Sequence, residues 1–146
     1  MPETLDDLLD GTEPHATFHD AHLLEAEHHD EDATMRLQFD LCVGDPDGSD
    51  PERRRPGNLL LTGVGFWVVD PPGSVLGIRH SGMHWLTSDG PITDLDTPSA
   101  KRLSQTIPAG SLGWYLFFSD GNAFAYLCAK TLTFSWKTAD VVQTGV

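Results

Sequence analysis

The chain has 146 residues, of which 22 are acidic and 9 are Lys or Arg, so its formal net charge is −13. A chain of this length forms one domain with a hydrophobic core, and we expect residues 1–146 to be a single domain. The charge argues against a nucleic-acid-binding protein, because such proteins neutralise phosphates with clustered Lys and Arg.

The location of the protein is indicated by what the sequence lacks. No apolar run approaches the length of a membrane span, and residues 1–10 have neither the positive nor the apolar region of a secretory signal. Cys42 and Cys128 stand far apart in strand-like segments. They make neither a disulfide framework nor a zinc site, and two buried reduced thiols are expected. These features favour a cytoplasmic protein that does not interact with membranes.

Residues 1–17 are predicted to contain a short N-terminal helix and a lead-in to the sheet. Thr4 and Asp7 have the spacing of a capping box, and the leucines of this segment share one face of the helix. The other face is acidic and is expected to point to water; it consists of Asp6, Asp7 and Asp10.

Residues 18–136 are predicted to form the β core, which begins with an antiparallel hairpin. Segments 22–29 and 34–43 are its strands, and the acidic residues between them form the turn. The second strand alternates apolar and polar side chains, with Met35, Leu37, Phe39, Leu41 and Val43 on the buried face. Residues 44–58 follow as a long polar loop, because they are rich in Pro, Gly and charged residues.

The segment 59–70 is apolar nearly throughout, so it is predicted to be one central strand buried on both faces. Gly63 and Gly65 mark a bend or bulge within it. Three shorter elements are expected after it: a strand over 74–87, at most a short extended piece over 91–97, and one helical turn over 98–103.

The last third of the chain predicts a second hairpin around Asp120-Gly121, a strong signal for a two-residue turn. This turn places Phe117 opposite Phe124 and Tyr115 opposite Tyr126. The return strand is expected to continue to Trp136. The predicted fold is therefore mainly β: an antiparallel sheet of six or seven strands, curled into a sandwich or half-barrel, with the N-terminal helix packed on it or over its open end.

Histidine and carboxylate side chains, which ligate zinc and other transition metals, are concentrated near the start of the first strand. His19, Asp20 and His22 are the candidate metal ligands, and His80 and His84 form a second pair. A structural role is the alternative for each, since a His beside an Asp often makes only a hydrogen-bonded pair. No cofactor is expected apart from a divalent metal at these residues.

The first hairpin and the second resemble known proteins. Phe18-His19-Asp20-Ala21-His22-Leu23-Leu24, the acidic turn and the alternating strand after it are similar to the opening hairpin of small bacterial β-rich proteins of unassigned function. Some of those are predicted immunity proteins of polymorphic toxin systems. The aromatic strand, Asp-Gly turn and Ala-rich return over 114–129 are also similar. The resemblance implies a single-domain bacterial cytoplasmic protein with no agreed active site.

Three functions remain open. The first is a non-enzymatic acidic protein that binds a basic protein partner, as an inhibitor of the immunity type does, because complementary charge speeds association. Its candidate contact residues are Glu25, Glu27, Asp30, Glu31 and Asp32. The second is a metal-binding protein or metal-dependent enzyme that uses the histidine region. The third is a carrier of a small apolar ligand, with a pocket lined by Phe66, Trp85, Phe117 and Phe124.

Overall fold

The structure is a computed structural model that describes residues 4–10, 16–43, 54–70, 84–119 and 122–137. These residues form a single antiparallel sheet of eight strands, one short α-helix and three 3-10 helices. The strands are β1 (Ala16–His29), β2 (Thr34–Val43), β3 (Arg54–Thr62), β4 (Phe66–Asp70), β5 (His84–Pro91), β6 (Leu112–Phe118), β7 (Ala123–Ala129) and β8 (Thr131–Trp136). Their order in the sheet is β4-β7-β6-β5-β1-β2-β3-β8.

The strand count and the sandwich are corrections, because the structure has eight strands in one sheet rather than six or seven in a sandwich or half-barrel. Two segments predicted as single strands are each interrupted. Gly63 adopts the left-handed conformation, with a φ of 62°, and separates β3 from β4. Lys130 separates β7 from β8. β3 pairs with β8 and β4 with β7, so the interrupted segments pair with each other and the described residues form no second sheet.

The first hairpin is confirmed. β1 and β2 pair antiparallel, with Glu27 opposite Arg36 and His29 opposite Thr34. All five apolar residues predicted to be buried in β2 are buried. The start of β1 is irregular, because the register shifts between Thr17 and His22 and the φ of Asp20 is 65°.

Three shorter predictions also need correction. The polar loop predicted over 44–58 ends earlier, since β3 begins at Arg54 and pairs with β2; residues 44–53 lie outside the described part. β5 extends past the predicted end at Thr87 to Pro91, whereas residues 71–83 are not described. The extended piece over 91–97 contains a 3-10 helix, Ile92–Asp94, because its amide groups bond locally rather than to a strand.

The second hairpin is confirmed with its register. Phe117 lies opposite Phe124 and Tyr115 opposite Tyr126, as predicted. The ring centroids of Phe117 and Phe124 are 4.8 Å apart, which is a favourable separation for two aromatic rings. Asp120 and Gly121 themselves lie outside the described residues.

Two apolar clusters cover the sheet. The main core combines side chains of β1, β2, β3, β5, β6, β7 and β8 with Leu5 and Leu9 of the N-terminal 3-10 helix, Leu5–Leu9. The second cluster lies between the aromatic side chains of β6 and β7 and the α-helix α1 (Pro98–Ser104). This helix confirms the turn predicted over 98–103, and the hydroxyl of its N-cap residue Thr97 accepts the amide hydrogen of Ala100 at 3.1 Å.

The capping box predicted at Thr4 and Asp7 is present. The amide of Thr4 donates to the Asp7 carboxylate at 3.3 Å, as the capping box requires.

Cys42 and Cys128 are not disulfide-bonded; Cys128 is buried and Cys42 only partly so. Burial raises the pKa of the Cys128 thiol. In the described ranges no helix has the length and apolar character of a membrane span.

Candidate functional site

The candidate site is the far end of the first hairpin, residues 25–36, which we call the acidic tip. It comprises the end of β1, a 3-10 turn at Asp30–Asp32 and the start of β2. Asp30, Glu31 and Asp32 are all exposed, and 91% of the Asp30 side chain is accessible. All five residues predicted to contact a basic partner therefore lie on one short hairpin end.

Local hydrogen bonds shape the turn of the acidic tip. The amide of Ala33 donates to the Asp30 carbonyl at 3.3 Å, and the Thr34 hydroxyl donates to the Asp32 carboxylate at 2.9 Å. Ala33 closes the turn in the left-handed conformation, with a φ of 56°. The amide of Val64, in the link between β3 and β4, donates to the Ala33 carbonyl at 2.8 Å. The turn is thus held to a second part of the fold, which limits its freedom before a partner binds.

Arg36 neutralises part of the acidic tip. Its guanidinium lies 2.9 Å from the Glu27 carboxylate and 3.3 Å from that of Glu25. The charge and the hydrogen bond of Arg36 lower the pKa of Glu27, and His29 adds a smaller effect in the same direction. The carboxylates of Asp30, Glu31 and Asp32 have no Lys or Arg partner among the described residues. Within the acidic tip, the carboxylates without a Lys or Arg partner are therefore those of the turn, where His28 Nε2 lies 3.4 Å from the Asp30 carboxylate.

The histidines predicted as metal ligands at the start of β1 occupy different environments. The His19 side chain is 64% exposed and its Nε2 lies 3.7 Å from the Asp20 carboxylate. Its Nδ1, when protonated, donates to the Thr87 carbonyl at 3.1 Å. His22 is buried, and its ring stacks on Trp85 with centroids 5.2 Å apart. Within the described ranges, no three His, Cys, Asp or Glu side chains are grouped as a metal site requires.

The second histidine pair falls at the margin of the described structure. His80 lies outside it, and of His84 only the backbone is described, opposite Leu23 in the pairing of β1 with β5. Metal binding by His19, Asp20, His22, His80 and His84 stays a prediction.

A cleft that the sequence did not indicate lies beside the N-terminal helix. It has a volume of about 220 Å³ and is lined by Thr4, Asp6, Phe18, His19 and residues 86–89. Asp6 was expected to face water. Instead its carboxylate accepts the amide of Phe18 at 2.7 Å and the hydroxyl of Thr17 at 2.8 Å.

Asp89, also in this cleft, accepts two hydrogen bonds on one carboxylate oxygen. The amide of Leu5 donates at 2.6 Å and the indole of Trp114 at 2.9 Å. Leu5 and Asp89 are 84 positions apart in the chain, and no local sequence signal reports a contact across that separation. The carboxylates of Asp6 and Asp89 thus both bond the N-terminal helix to the sheet.

The four aromatics predicted to line a ligand pocket do not line this cleft. Phe66 and Phe124 belong to the cluster beneath α1, and Phe117 contacts Phe124. Trp85 is 48% exposed and stacks on His22. The three phenylalanines are thus partly buried packing residues, and Trp85 is not.

Comparison with known proteins gave no match: no family model matches the chain, and no significant similarity was found to curated proteins or to solved structures.

Proposed function

We propose that this protein is a non-enzymatic binding protein that binds a basic protein partner through its acidic tip, and that it inhibits that partner in the manner of an immunity protein. The observation that supports the proposal is the acidic tip itself. Three carboxylates project from one exposed turn that has no Lys or Arg partner in the described structure, at the end of a hairpin whose second strand has one buried face.

The exposed charges of the acidic tip are suited to binding a cationic partner rather than to catalysis. Exposed carboxylates act on a cationic partner at long range, raise the association rate and disfavour acidic competitors. The whole chain, with its net charge of −13, adds to that attraction. The turn is preformed by its own hydrogen bonds, so the entropic cost of ordering it on binding is small.

The metal-dependent alternative receives less support from the geometry. The neighbouring candidate metal ligands lie in different environments. His19 is exposed, whereas the ring of His22 is buried and stacked on Trp85. A metal ion would require both imidazoles to present a nitrogen at about 2.0–2.1 Å from the same point.

The test compares two variants of equal charge. The double variant Asp30→Lys/Glu31→Lys reverses charge on the acidic tip, and Asp94→Lys/Asp96→Lys makes the same change at exposed residues before α1. Each purified protein is used at low salt to capture partners from the lysate of its own source cells. The basic protein retained by the parent chain is identified by mass spectrometry, and its affinity is then measured by calorimetry.

We expect the tip variant to bind at least about tenfold more weakly than the parent, and the control variant to retain binding within about threefold. Binding by the parent should weaken as salt rises, since exposed charges are screened. The proposal fails if the parent retains no basic protein at low salt. It also fails if both variants lose affinity equally, because the effect would then belong to net charge and not to the acidic tip.

A further inference from the structure

The two faces of the sheet are covered differently. Along β7, Ala125 and Leu127 belong to the main core, whereas Phe124 and Tyr126 belong to the cluster beneath α1. Because successive side chains of a strand point to opposite faces, α1 covers the face turned away from the main core. We call this face the outer face. Near β6 and β7 the outer face is therefore buried under α1.

The outer face is open where β2, β3 and β8 lie side by side. The residues of β2 that alternate with the buried ones point to this face, and Arg36 is one of them. The register places Leu60 of β3 between Arg36 and Thr133 of β8. Leu60 is exposed, as are the outward side chains of β8, which are Thr131, Thr133 and Ser135. Leu60 thus stands at the centre of a solvent-exposed part of the sheet.

Two large apolar side chains are exposed among the described residues, and both lie on the outer face. Leu60 is 40% exposed and Trp85 is 48% exposed. Trp85 of β5 lies opposite His22 of β1, and Leu23, the residue after His22, points into the main core. His22 and Trp85 therefore point to the outer face. Strand spacing and rise place Leu60 and Trp85 about 20 Å apart along the sheet, which one protein partner of ordinary contact area can span.

Acidic side chains border this surface on the side of the acidic tip. Glu25 and Glu27 flank the core residue Ala26, so both point to the outer face. Arg36, which lies beside Leu60, is paired with these two glutamates. The outward side chains of β8 carry no charge, although exposed lysines stand at both of its ends, at positions 130 and 137. An apolar centre with few charges and a charged border is the usual composition of a protein–protein interface.

We propose that the outer face between Leu60 and Trp85 is a contact surface for a basic protein, with these two side chains as its apolar anchors and the acidic tip as its charged border. This inference rests on the proposed function and adds an apolar surface to the acidic tip. The partner it fits presents apolar side chains flanked by Lys or Arg. A second copy of this chain fits less well, because two such surfaces, each on a chain of charge −13, repel each other.

The experiment measures the affinity of the basic protein that the parent chain captures at low salt, by calorimetry at about 20 mM and about 200 mM sodium chloride. Leu60→Ser should weaken binding at least about fivefold, because it removes an apolar anchor. The loss should be similar at both salt concentrations, since no charge is changed. Trp85→Ala should act in the same way. The tip variant Asp30→Lys/Glu31→Lys should instead lose less affinity at the higher salt, where its charges are screened.

A second kind of variant keeps the test decisive if Trp85→Ala, which also removes the stack on His22, fails to fold. Thr133→Arg adds a cation beside Leu60 at an exposed position and should weaken binding of a basic partner at least about fivefold at low salt. Its control is Gln105→Arg, which makes the same charge change at an exposed residue at the end of α1 and should stay within about twofold of the parent. Melting temperatures verify that each variant is folded.

The pattern of losses separates this inference from the proposed function. If Leu60→Ser, or a folded Trp85→Ala, binds like the parent while the tip variant binds weakly, the outer face is not a contact surface and the acidic tip stands alone. Equal losses for Thr133→Arg and Gln105→Arg also overturn the inference. Weak binding by the outer-face variants with an unaffected tip variant would support the outer face and contradict the acidic tip. If the parent captures no basic protein, both proposals fail.

Discussion

Arg36 shows how one side chain sets the electrostatics of the acidic tip. It lies opposite Glu27 in the β1–β2 ladder, and its guanidinium is shared between Glu27 and Glu25. Cross-strand pairs of opposite charge stabilise a hairpin modestly, and more weakly where they are exposed. Arg36 therefore contributes a little to the hairpin while it weakens the field that a basic partner would meet.

Replacing Arg36 by Gln should separate these two effects. Without the cation, the pKa of Glu27 rises toward its ordinary value of 4.5, which an NMR titration of its carboxyl carbon measures. In the parent the lowered pKa contributes stability above about pH 4.5 that is lost as the pH falls through the folded-state value. Arg36→Gln should lose this contribution and should bind the basic partner about two- to fivefold more tightly.

The control for this prediction is Lys101→Gln, which removes one positive charge from an exposed position on α1. Equal gains in affinity for the two variants would show that only net charge matters. An Arg36→Gln protein with weaker binding would contradict the assignment of the acidic tip as the contact surface.

At the scale of elements, the two hairpins were predictable and the breaks in the long strands were not. Alternation along β2 and the spacing around Asp120-Gly121 define pairings between neighbouring segments, whose register depends on local patterns. The pairing of β3 with β8 joins segments that lie about seventy residues apart, and no local pattern encodes a pairing at that distance. The break at Gly63 was visible as a bend, but its consequence, two strands with different partners, depends on that distant pairing.

The turn of the first hairpin supplies a prediction at this scale. Ala33 has a φ of 56°, a conformation that is unfavourable for a residue with a Cβ atom and readily adopted by Gly. Ala33→Gly should therefore raise the free energy of unfolding by about 0.5–1 kcal/mol in urea denaturation. The same substitution at Ala26, a buried residue of β1, should lower it. A loss of stability at position 33 would mean that the Cβ atom makes a contact worth more than the backbone strain.

For the whole molecule, charge and composition predicted the acidic tip but not the cleft. Glu25, Glu27 and the Asp30–Asp32 turn are consecutive in a hairpin, so sequence proximity ensures spatial proximity. The cleft instead depends on Asp89 meeting the N-terminal helix across most of the chain. The helical periodicity predicted that Asp6 faces solvent. Its carboxylate instead accepts hydrogen bonds from Thr17 and Phe18 of β1. A prediction from the periodicity of one helix cannot include such tertiary contacts, and here they change which way the side chain faces.

The charge of the whole chain predicts how salt affects its stability. The net charge is −13, and within the described ranges Arg36 is the only Lys or Arg that forms an ion pair with a carboxylate. Screening therefore removes more repulsion than attraction, because exposed pairs contribute only about 0–1 kcal/mol each. Raising sodium chloride from about 20 mM to about 200 mM shortens the Debye length to below about 10 Å and should raise the melting temperature by about 1–4 °C.

The variant Asp30→Asn/Glu31→Gln, which carries less negative charge on the acidic tip, should show a smaller rise in the same calorimetric scans. A melting temperature that falls with salt would show that attractive pairs dominate the surface, and the acidic tip would then have less uncompensated charge to offer a basic partner.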